Sequence, residues 1–128
     1  MDVAEGEAVD RDVEIVVTIT NSEGNVIAVH RMDDAPLASV SVSMDKAYSA
    51  AALQGPTHEA GKMAEPGGSA YGLQTCDDGR LITFGGGFPL ERDGTLVVGL
   101  GISGAPTEVD MEIAADVLDA FHERNEHK

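Results

Sequence analysis

Between Gly85 and Ala105 the chain places seven glycines in twenty-one residues, among residues that favour strands. They run Gly85-Gly86-Gly87-Phe88-Pro89-Leu90, then Asp93-Gly94, then Val97-Val98-Gly99-Leu100-Gly101-Ile102-Ser103-Gly104-Ala105. A glycine inside a strand has no side chain to pack, so it marks a bend, a bulge or the close approach of another group. The segment is expected to form a smooth concave wall on which a helix, a second subunit or a flat ligand can lie.

The rest of the chain supplies elements to build around that wall. Val13, Ile15, Val17 and Ile19 alternate with Glu14, Val16, Thr18 and Thr20, the period of a strand with one face in the core. Asn21 to Asn25 is turn chemistry, and Val26 to Met32 completes a hairpin. Pro36 suits the first turn of a helix running from Leu37 to about Leu53, with Leu37, Val40, Met44, Ala47 or Tyr48, and Ala51 as its apolar stripe. Gly55-Pro56 ends it, and Thr57 is placed to cap a short second piece holding His58 and Glu59. Residues 61–72 read as loop. Leu73–Cys76 and Leu81–Phe84 read as a hairpin about Asp77-Asp78-Gly79, and Phe88–Glu91 and Thr95–Ile102 as another about Arg92-Asp93-Gly94. A last helix starts at Thr107 and buries Val109, Ile113, Val117 and Phe121. The order β-β-α-β-β-β-α predicts an α+β fold, an antiparallel sheet with helices on one side. Residues 1–12 form an acidic opening, 13–121 the domain and 122–128 a polar tail.

Composition narrows the partners. At 128 residues the chain makes one domain. Twenty-three acids against eight bases leave a formal charge of −15, which repels nucleic acid and anionic lipid alike. No apolar run approaches the ~20 residues that cross a bilayer, and the acidic start lacks the pattern of a secretion signal. Acid-rich, lysine-poor composition fits a high-salt cytoplasm, where screening relieves self-repulsion. Cys76 stands alone, so neither an intrachain disulfide nor a cysteine cluster for zinc forms.

Few residues offer chemistry. His30 precedes Asp33 and Asp34, and His58 follows a helix-breaking turn beside Glu59. Either is a candidate base or ligand, and each also reads as an ordinary surface histidine. His122 and His127 belong to the tail. Metal-ligand spacings of the H-x-x-x-H or C-x-x-C kind are missing, as is a G-x-G-x-x-G fingerprint around Gly85 or a G-x-S-x-G elbow around Ser103. Amides at the helix start after Gly104 offer a place for an anion such as a carboxylate.

The combined pattern says more. Arg31-Met32-Asp33-Asp34-Ala35-Pro36, Asp45-Lys46-Ala47-Tyr48-Ser49-Ala50-Ala51, Gly55-Pro56-Thr57, Gly86-Gly87-Phe88-Pro89-Leu90, Asp93-Gly94 and Val98–Ala105 follow one another in this order. In that series the chain resembles the GlcG/HbpS family of small haem-binding proteins over roughly residues 13–121. The resemblance implies a profilin-like sheet with helices packed on it, assembly into homo-oligomers, and haem or a related tetrapyrrole as ligand. A related domain accompanies cobalamin adenosyltransferases of the PduO type. By the same resemblance Thr57 or His58, with His58 preferred, would meet the iron. Lys46, Gly86, Gly87, Pro89, Ser103 and Gly104 would line the pocket. The full N-terminal helix of the family is shortened or lost here. A haem-binding protein is thus favoured over an enzyme acting on a hydroxy acid or corrinoid, which would need His30 or His58 with Asp33, Asp34 or Glu59, and over a purely structural subunit.

Overall fold

The computed structural model describes residues 1–126. The period-two segments become β1 (Val16–Asn21) and β2 (Val26–Arg31), joined by a turn in which the Asn21 side chain accepts the amides of Glu23 and Asn25. The glycine-rich stretch becomes β3 (Gly87–Arg92) and β4 (Thr95–Ser103). All pairings are antiparallel, in the order β2-β1-β4-β3, so the glycine strand β4 lies inside the sheet.

Helices cover both faces, not one. On one side lies α2 (Ala38–Leu53); on the other α1 (Asp2–Asp10) and α4 (Thr107–Glu126) pack against each other. The sequence pattern of β1 hides this arrangement. Val17 sits opposite Ile102 and joins the core under α1 and α4, with Ala4, Leu100, Ile113 and Ala114. Thr18 and Thr20 sit opposite Gly101 and Gly99, on the α2 side, and are also buried. Small β-branched polar residues serve a buried face when the helix supplies hydrogen bonds, and the Thr18 and Ser43 hydroxyls bond at 2.8 Å.

The concave wall exists, and α2 fills it. A Cβ on Gly101 would collide with the Ser43 carbonyl, and one on Gly99 with the Ala47 carbonyl. The helix backbone therefore rests directly on the sheet. The buried face of α2 is accordingly Ser39, Ser43, Lys46, Ala47, Ser49, Ala50 and Ala51, while Leu37 of the expected stripe is exposed.

Four further segments bear on the expectations from sequence. Asp2–Asp10 is a helix of nine residues, held to α4 by Arg11, whose guanidinium bonds Glu7 and Asp116 and approaches Glu112. Part of the expected loop at 61–72 is helical, because α3 (Thr57–Ala64) continues through Gly61. The hairpin about Asp77-Asp78-Gly79 does not form: Leu73–Thr75 and Asp77–Gly79 are 3₁₀ turns and 81–84 is not a strand. The backbone there bonds a side chain instead. Ser49 Oγ donates to the Arg80 carbonyl and accepts from the Ile82 amide, so no partner strand is needed. α4 runs on through His122 to Glu126, where a fraying tail was expected; His127 lies outside the described residues.

Candidate functional site

Three segments meet beyond the β3 end of the sheet. α3 packs so closely that a Cβ on Gly61 would strike the Thr83 carbonyl, and one on Gly85 would strike the Met111 side chain of α4. The space left among them is a pocket of about 470 Å³, open to solvent. His58 and Lys62 of α3, Phe84 and Gly85 of the connecting strap, and Thr107 and Met111 of α4 border it. The His58 ring leans on Phe88, centroids 5.5 Å apart, and its Nδ1 is buried with no hydrogen-bond partner. Buried polar atoms are nearly always paired, and this ring nitrogen is an exception at the edge of the pocket.

Beneath this pocket lies a buried ion pair. Lys46 reaches out of α2, past Gly86, and its Nζ donates to the Ile102 carbonyl at 2.7 Å and to Asp110 Oδ2 at 3.2 Å. Both side chains are almost wholly buried. Burial lowers the Lys46 ammonium from the ordinary lysine range, against the pull of Asp110. Burial likewise raises the Asp110 carboxyl, against Lys46 and the backbone amides that face it. Lys46 Nζ also lies 5.1 Å from the centre of the Phe84 ring, so the pair supports the pocket wall from behind. Gly86 adopts φ +120°, and its missing Cβ leaves the room that Lys46 occupies.

Of the residues nominated from sequence, only His58 borders the pocket. Thr57 is neither a cap nor exposed: Pro56 holds the cap position, and the buried Thr57 hydroxyl accepts the Gly87 amide at 3.0 Å. Lys46, Gly86 and Gly87 are interior supports. Pro89 faces a different hollow, of about 230 Å³, with Pro56, Phe88, Leu118 and His122. Ser103 and Gly104 lie where β4 meets Val16 and Glu14, and the expected anion is internal: the Ala105 amide donates to Asp110 Oδ1 at 3.0 Å. His30 pairs with Glu5 on the surface, away from Asp33 and Asp34. The sequence reading missed Asp110, Met111 and Phe84. Asp110 carried a signal, an acid in the first turn of a helix three residues after Thr107. Met111 and Phe84 carried none. Among the described residues no cluster of histidine, cysteine and acids could hold a bare metal ion.

Fold and pocket together define a single-sheet α+β module with an open pocket outside the sheet, between two helices. The family model described as haem degrading protein HbpS-like matches residues 1–119, and the chain belongs to that family. An uncharacterised 15.0 kDa protein of the dhaT–dhaS intergenic region in Citrobacter freundii is 38% identical over 119 residues, 93% of this chain and 84% of that one. Corrinoid adenosyltransferase PduO of Salmonella typhimurium is 42% identical over 110 residues, 86% of this chain but 33% of PduO, so this chain spans a third of that enzyme. The crystal structure of a PduOC–haem complex superposes with TM-score 0.90 at 40% identity, covering 93% of this chain and 86% of that one.

Proposed function

We propose that this protein binds haem in the pocket between α3 and α4, with His58 as the iron ligand. The observation that carries the assignment is the His58 ring, which borders a 470 Å³ pocket while its buried Nδ1 has no hydrogen-bond partner. Kinship supports it, since a relative of like fold is a PduOC–haem complex. Haem would supply the iron chemistry; the chain would supply an imidazole, the flat Phe84 ring, the apolar Met111 side chain, and in Lys62 a cation for a carboxylate edge. Thr57, Lys46, Gly86 and Gly87 then act on the pocket through packing.

The test is a hemin titration followed at the Soret band, in wild type and His58→Ala. Wild type is expected to give a saturable, shifted band, and His58→Ala a different band at unchanged helicity. Identical spectra in the two would remove His58 as ligand. Holding the complex under air with a reductant then separates a carrier, whose band persists, from a degrading protein, whose band bleaches. Identity to PduO makes cobalamin the second ligand to titrate.

Homo-oligomeric assembly and a high-salt cytoplasm belong to the same proposal. Ile27 and Val29 are exposed on β2, an edge of the sheet, and the charge of −15 needs screening. No helix among the described residues is long and apolar enough to cross a membrane.

A further inference from the structure

A second hollow borders the aliphatic core and shares no lining residue with the His58 pocket. On the face of the sheet covered by α1 and α4 there is a half-enclosed cavity of about 200 Å³. Val17, Leu90 and Leu100 form its floor, and Val117 and Phe121 of α4 its wall. Native cores are close-packed, with few voids larger than a water molecule. Water gains nothing here, because the walls offer no set of polar partners. A cavity of ~150 Å³ lined by such side chains stays dry and takes up benzene-sized molecules. This one is larger and opens at one end.

The open end carries a charge. Arg124, one helical turn beyond Phe121, borders the cavity with Met1 and is, among the described residues, its only ionisable side chain. On a chain with net charge −15 a cation at the mouth of an apolar slot is a selective feature. It favours an anionic head with an apolar tail over a neutral or cationic one. The slot shares no lining residue with the His58 pocket, which uses the start of α4 where this one uses its later turns.

We propose that this cavity is a second binding site, for a medium-chain alkyl carboxylate that enters tail first and leaves its carboxylate at Arg124. Neither haem binding nor His58 is required for it.

The test is calorimetric titration of the whole protein with octanoate, octanol and octylammonium, at low and at molar potassium chloride. Octanoate is expected to saturate at one per chain and to bind more tightly than octanol. At low salt the preference should be about two- to fivefold, the worth of one exposed ion pair, and it should shrink as salt rises. Arg124→Gln should abolish the preference while octanol still binds. Ala120→Phe, which fills the slot from its α4 wall, should abolish both while His58-dependent hemin spectra stay unchanged. His58→Ala should leave octanoate binding intact. Three outcomes overturn the site: no saturable binding to protein shown folded by circular dichroism, equal binding of all three probes, or octanoate binding that survives Ala120→Phe.

Discussion

Lys46 shows how one side chain sets the limits on its neighbours. Its ammonium crosses from α2 to the β4 carbonyl of Ile102 and the α4 carboxylate of Asp110, joining helices on opposite faces of the sheet. Removing only the lysine leaves a buried carboxylate without its cation, and loss of one partner of such a pair costs about 3–5 kcal/mol. Lys46→Met is therefore expected to lower the urea midpoint sharply, whereas Lys46→Met with Asp110→Asn recovers much of the loss. Equal midpoints for the single and double variants would show that the lysine acts by packing alone. The lysine stood out in the sequence only through the family pattern. That it would be fully buried could not be read there, because its partner lies 64 positions away and no local rule links them. His58 was legible because it follows a helix-breaking turn; its missing hydrogen bond was not.

At the scale of elements, the contact between α2 and the sheet inverts the usual pairing of large apolar side chains. Glycines on β4 admit the helix backbone, and serines and alanines face them. This is why the apolar stripe drawn through Leu37, Val40, Met44, Ala47 or Tyr48, and Ala51 meets the buried face only at Ala47 and Ala51. A hydrophobic periodicity ranks residues by transfer energy, and here fit, not transfer energy, decides which face turns inward. The four strands that form, the bounds of α2 and the start of α4 were legible because alternation and helical spacing are local signals; the last turn of α4 was not. The strap from Leu73 to Phe84 was not, since its shape depends on Ser49. Two glycines separate the cases. Gly101→Ala places a methyl in the Ser43 carbonyl and should cost about 3 kcal/mol by overpacking. Gly6→Ala, in open space on α1, should instead gain about 0.5–1 kcal/mol. Thermal melts of both variants check this, and a harmless Gly101→Ala would mean that α2 can lift from the sheet.

For the whole molecule, charge is the governing quantity. Among the described residues, carboxylates in ion pairs are Glu5, Glu7, Asp110, Glu112 and Asp116, and most of the remaining acids face solvent outside any such pair. At molar salt the screening length falls to ~3 Å, so their mutual repulsion almost vanishes. The melting temperature should climb with potassium chloride up to about that concentration. A flat response would mean that the acids are spaced widely enough not to interact.

The glycine-and-serine layer under α2 has a thermal consequence. Unfolding it exposes peptide groups and hydroxyls more than hydrocarbon, and polar exposure lowers the heat-capacity increment that apolar exposure raises. This half of the molecule therefore contributes little curvature to the dependence of stability on temperature, while the aliphatic layer beneath α1 and α4 contributes most of it. On cooling, the aliphatic layer loosens first, and the sheet stays fastened to α2 by contacts whose strength scarcely changes.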